Sequence, residues 1–160
     1  MSAQRSRTLW FIGVAVFVVF VDQLLKNLVI QSLTPGVSQD FIGSVLRLRL
    51  TFNDSAAFSL GWGVTWFFTL VSSVAALVLL WESLKVKTRN WALLGGVLLG
   101  GVTGNLLDRL LRAPGFPNGH VVDYLQIPFN FPIFNLADCC ICVGIALIAI
   151  AVIRGKKIGG

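Results

Sequence analysis

Residues 91–111 read WALLGGVLLGGVTGNLLDRLL. The run is long enough to cross a bilayer as a helix, which takes about 20 residues at about 1.5 Å each. Gly96, Gly100 and Gly104 recur every fourth residue and share one face, a spacing that lets helix backbones approach closely in lipid. Toward one end stand Asn105, Asp108 and Arg109. Ionisable groups in a membrane segment are costly and mark function. The stretch therefore predicts a tightly packed span with a polar cluster near one end.

Working outward, three more runs have spanning length, at about 9–30, 64–84 and 135–153. Composition agrees: 56% of the 160 residues are hydrophobic and 12% charged, where soluble domains average about 25% charged. The length allows one membrane domain, 1–160. The expected fold is an all-α membrane protein of four transmembrane helices with a small extracytoplasmic β-sheet or saddle. Trp10, Trp62, Trp66, Trp81 and Trp91 lie near the expected span ends, where amphipathic rings prefer to sit. Transporter-like inverted repeats are not visible.

A net charge of +6 could point to nucleic acid, but the placement of the cations argues against it. They cluster as Arg5 and Arg7, as Lys85, Lys87 and Arg89, and as Arg154, Lys156 and Lys157, always at the end of an apolar run. By the positive-inside rule both termini and the 85–90 loop are expected to be cytoplasmic. The N-terminus starts like a secretory signal, but no small-x-small cleavage site follows, so a retained first span is expected. Cys139, Cys140 and Cys142 lack zinc-knuckle spacing and read as small buried thiols. With a single His, no metal site and no cofactor is expected.

The connections 31–63 and 112–134 then face the other side, and both are too long to be simple turns. Leu46, Leu48, Leu50 and Phe52 alternate with Arg47, Arg49 and Thr51, predicting a strand with its apolar face to lipid and its arginines to headgroups. In the second connection, Pro117-Asn118-Gly119 reads as a turn before a β-like Val121 to Ile127, with Pro128 and Pro132 ending it.

Of the seven acids, four gather at this level: Asp22, about 12 Å inside the first span, Asp108, Asp123 and Asp138. Each has a plain structural reading. Asp22 is spaced to pair with Lys26 and Asp108 with Arg112, and Asp138 follows Asn135 at helix-capping spacing. Asp123 lies among Val121, Val122, Tyr124 and Leu125, an apolar setting that raises a carboxyl pKa. Two carboxyls sharing one proton can deprotonate water with one member and protonate a carbonyl with the other. A Ser/Lys dyad would draw on Ser55 or Ser59 and on Lys26, the sole Lys on that side.

Five ordered motifs carry a resemblance. They are Asp22-Gln23-Leu24-Leu25-Lys26; Asn53-Asp54-Ser55-Ala56-Ala57-Phe58; Gly100 through Arg109; Gly119-His120-Val121-Val122-Asp123-Tyr124; and Phe134-Asn135-Leu136-Ala137-Asp138. Together they resemble lipoprotein signal peptidase (signal peptidase II), the bacterial membrane aspartic peptidase family, over nearly the whole chain. Ser55 stands where the family usually has Gly, and Tyr124 where it usually has Phe.

The resemblance implies that Asp123 and Asp138 are the catalytic dyad, with Asp22, Asn53, Asn105, Arg109 and Asn135 lining or bracing the site. Lys26 and Asp108 join that supporting set. It implies a bacterial inner-membrane enzyme, active at the extracytoplasmic face. The substrate would be a prolipoprotein carrying diacylglycerol on a Cys and cut just before it. Partners would then be such signal peptides and membrane lipid, with no nucleic acid, and a monomer is expected. A helix N-terminus favours an anion, so Asp138 is expected to be ionised and Asp123 to hold the shared proton. The alternative is a proton-coupled transporter or channel subunit with an Asp relay. A relay wants acids at several depths, and these sit at one.

Overall fold

The computed structural model describes residues 3–54 and 65–157. Helix α1 runs Ala3–Ser32, α2 Thr65–Ser83, α3 Arg89–Leu111 and α4 Leu136–Ile153; all four are long and apolar enough to cross a membrane. Between them lie β1 (Ser38–Ile42), β2 (Leu46–Asn53) and β3 (Val121–Gln126), an antiparallel sheet in the order β1-β2-β3. Ser55, Ser59, Trp62 and Val64, each part of an expectation above, lie outside the described residues.

Helix α3 is the hub, packing on α1, α2 and α4. Its glycines make this possible. A Cβ on Gly96 would lie 2.6 Å from the Phe11 carbonyl oxygen, and one on Gly100 2.5 Å from Val18 Cβ. On the other flank, a Cβ on Gly101 would lie 2.6 Å from the Ala137 carbonyl oxygen. Over half of α3's apolar window is buried (56%), against 11% for α4, whose Ile145 and Leu147 point outward. Outward-facing apolar side chains such as Phe17, Phe20 and Leu77 fit a lipid surround.

The basic clusters converge at one end of the bundle. Gln4 Nε2 donates to the Leu84 carbonyl at 2.7 Å, and the Arg89 guanidinium stacks on the Trp10 ring at 4.3 Å. Asn90 and Lys156 line one groove there.

Three expectations need correction. The apolar side of β2 does not face lipid throughout: Leu50 is 1% exposed, packed on Leu33 and Val122, because α1 continues far enough to cover it. Trp91 stands near the start of α3 as expected, but its ring is turned into the helix core with Phe11 and Leu99 rather than outward. The thiols are not buried: Cys139 and Cys140 are half-buried and Cys142 is exposed, since α4 turns only Ala137 and Gly144 fully inward.

A register shift in the β2–β3 pairing matters more than any of these. Leu48 pairs with Leu125, but Thr51 pairs with Asp123, so β2 holds one extra residue between them. Such a bulge re-aims the side chains beyond it. It brings Asn53 to the diagonal position from Asp123, within side-chain reach.

Candidate active site

The end of the bundle away from the basic clusters holds two polar layers. The first lies between α1 and α3. Lys26 Nζ is 2.8 Å from both Asp22 Oδ2 and Asp108 Oδ2, and all three residues are 0% exposed. A buried cation between two carboxylates persists only when its partners are also hydrogen-bonded. Here they are. Asp108 also accepts from Arg112 Nε at 2.6 Å, Gln23 Nε2 at 3.0 Å and the Val122 amide at 3.1 Å. Asp22 Oδ1 accepts from the Ala137 amide at 3.1 Å. This layer therefore ties α1 and α3 to β3 and to the start of α4.

The second layer carries Asp123 and Asp138. Asn135 caps α4 with a full capping box: its side chain accepts from the Asp138 amide at 2.9 Å, and Asp138 Oδ2 accepts from the Asn135 amide at 3.1 Å. The Asn135 carboxamide nitrogen then donates to Asp123 Oδ1 at 2.6 Å. Asp123 Oδ2 accepts from Asn53 Nδ2 at 2.8 Å, and Asp138 Oδ1 from Asn105 Nδ2 at 2.7 Å. One asparagine thus fixes two carboxyls supplied by β3 and α4. Asn105 joins the layers, its Oδ1 accepting from Lys26 at 3.0 Å and from Asn135 at 3.1 Å.

Asp123 is 3% exposed. Burial first, and then the nearby Asp138 charge, push its carboxyl up to about 7, against the pull of the Asn53 and Asn135 hydrogen bonds. A carboxyl in this range can carry a proton at neutral pH beside an ionised partner.

Asp22 with Lys26 and Asp108 with Arg112 pair as their spacing predicts. Arg109 makes no ion pair with a described acid. Its guanidinium bonds the Asn105 carbonyl at 3.4 Å and lies 6.0 Å from the Phe68 ring. Lys26 is held by two carboxylates and an amide oxygen, which leaves it unsuited to serve as the base of a Ser/Lys dyad. The sequence reading gave no role to Gln23, which bridges Asp108, the Gly104 carbonyl and Arg112. Its place beside Asp22 in an otherwise apolar span was the available signal. Among the described residues, no group of three or more His, Cys, Asp or Glu side chains could hold a metal ion.

Four membrane-length helices with a paired-carboxyl centre at one end define an integral-membrane protein equipped for acid–base hydrolysis. Comparison with known proteins agrees. The sequence model of "Signal peptidase (SPase) II" matches residues 14–154. A lipoprotein signal peptidase of Leifsonia xyli subsp. xyli is 41% identical over 100% of this chain and 77% of its own length. That of Mycobacterium tuberculosis H37Rv is 38% identical over 96% of this chain and 75% of its own. A solved bacterial membrane enzyme, determined in meso at 2.3 Å, superposes with a TM-score of 0.80 at 30% identity, covering 92% of this chain and 91% of that one. The chain belongs to the signal peptidase II family of membrane aspartic peptidases.

Proposed function

We propose that Asp123 and Asp138 are the catalytic pair with which this peptidase removes the signal peptide from diacylglyceryl-modified prolipoproteins, cutting before the lipidated Cys. The observation that carries the assignment is the shared grip of Asn135 on both carboxyls. Asp138 accepts donors on both oxygens at a helix N-terminus, the setting of a carboxylate, and takes the proton of the attacking water. Asp123 holds the shared proton and gives it to the scissile carbonyl oxygen. The tetrahedral intermediate then collapses as Asp138 passes its proton to the leaving amine and the diol hydroxyl returns its proton to Asp123, which breaks the C–N bond and re-forms the carbonyl. Arg109, close to the pair but in no ion pair with a described acid, would hold a substrate carbonyl or a lipid headgroup.

The convergence of basic residues at the opposite end supports cytoplasmic termini and an extracytoplasmic site in the bacterial inner membrane. The acyl chains of the substrate would remain in lipid between helices while the scissile bond reaches the carboxyl level.

The test is a processing assay with a lipid-modified prolipoprotein and an unmodified control. Asp123→Asn and Asp138→Asn should each insert and fold yet release no signal peptide. Undiminished turnover in either variant overturns the assignment.

A further inference from the structure

We infer that Lys26 is a positioning residue for the dyad, acting through Asn105: its ammonium fixes which way round the Asn105 carboxamide lies, and so keeps a donor aimed at Asp138. The inference rests on the peptidase reading above and concerns how that site is kept in its working protonation pattern.

The geometry is directional. An ammonium has three donors and no acceptor. Lys26 places them on Asp22 Oδ2, Asp108 Oδ2 and Asn105 Oδ1, with no exposure to solvent. The Asn105 oxygen therefore faces Lys26, with the Asn135 NH2 group as a second and uncharged donor, which leaves its own NH2 group to donate to Asp138 Oδ1 at 2.7 Å. Turned over, the amide would set NH2 against the ammonium and its oxygen against the carboxylate, two repulsive contacts in place of two bonds. Asn135 is fixed in the same way by the Asp138 backbone amide, which can only donate. The chain of donors from Lys26 to Asp138 thus runs in one direction. A donor held permanently on Asp138 Oδ1 favours the anion there and directs the shared proton to Asp123.

The groups that face the dyad are few. Asp123 meets Asn53 from β2 and Asn135 and Asp138 from α4, with Lys26 from α1 in electrostatic reach. Asp138 meets Asn105 and the nearby Arg109 from α3, with the Tyr124 hydroxyl from β3 and the Cys139 thiol of its own helix in electrostatic reach. Lys26 meets Asp22 on its own helix and Asn105 and Asp108 on α3.

The charge-balanced double variant K26M/D22N removes the lock without leaving a surplus carboxylate, and N105D keeps an oxygen toward Lys26 while removing the donor to Asp138. Both are measured as full-length protein in detergent, with kcat, KM and the pH profile of kcat on lipid-modified substrate. In each, kcat should drop about tenfold or more with KM within about twofold, and the acid limb of the profile should move to higher pH. A purely structural Lys26 would leave that limb in place. A folded K26M/D22N with wild-type kcat and profile overturns the inference. If that variant does not fold, K26Q decides, since its neutral amide no longer demands an oxygen from Asn105, and a wild-type kcat and profile there overturn the inference equally. Wild-type protein that fails to cleave the substrate at all sinks the peptidase reading instead.

Discussion

The Asn135 carboxamide nitrogen stands 2.6 Å from Asp123 Oδ1, and the same residue caps α4, the helix whose first turn carries Asp138. One residue therefore bonds both carboxyls, Asp123 through its side chain and Asp138 through its backbone amide. Asn135→Ala should cost about 1 kcal/mol as a lost cap. Its effect on turnover should be far larger, about 100-fold, because small misplacements of catalytic groups are costly. Parallel measurement of melting and kcat separates the two, and equal modest losses in both would count against a positioning role.

In the proposed mechanism the Asp123 carboxyl, pushed up to about 7 by burial and Asp138, gives turnover a basic limb. Above that pH the shared proton is lost, so kcat should fall as pH rises through about 7. A pH–rate profile that stays flat from 6 to 9 (on the order of three units) contradicts this.

The same shift makes a stability prediction. The unfolded carboxyl titrates near 4, so between about 4 and about 7 the folded state binds the extra proton. Stability attributable to this group therefore falls as pH rises across that window and stays low above it. Asp123→Asn removes the dependence. The variant should melt higher than wild type at basic pH and close to it near pH 4, a comparison that thermal unfolding in detergent makes directly.

Asp108 accepts from Lys26, Arg112, Gln23 and the Val122 amide while wholly buried. Asp108→Asn takes the carboxylate from Arg112 and one of two from the buried Lys26, and breaking a buried pair costs about 3–5 kcal/mol. The expected result is a marked loss of folded protein, measured as yield and unfolding midpoint. Glu82→Gln, at an exposed pair, should change neither.

Glycine contacts give a paired test. Gly100→Ala drives a methyl against Val18 and the Ala15 carbonyl and should destabilise by about 1–3 kcal/mol. Gly13→Ala meets nothing within 4 Å and should be neutral or slightly stabilising. Equal melting shifts in the two would deny α3 its role as the tightly packed hub.

Much of the fold was legible because it follows from local periodicity. The four spans, the Gly96–Gly100–Gly104 face and the Lys26–Asp22 and Arg112–Asp108 pairs all lie within a few helical turns of one another. The exposed strand β1 was not legible: its residues SQDFI carry no alternation, and it exists only because β2 lies beside it. The bulge in β2 escaped for a related reason, since alternation in one strand says nothing of its partner's register.

The sequence by itself determined that this chain has four helices long and apolar enough to cross a membrane and gathers four of its seven acids toward one side, because hydropathy and helical spacing are properties of neighbours along the chain. Only the tertiary structure decided what holds Asp123. Asn53 and Asn135 reach it from 70 and 12 residues away. A hydrogen bond depends on a few tenths of an ångström between side chains, and that closeness is created by packing of elements whose mutual register no single segment encodes.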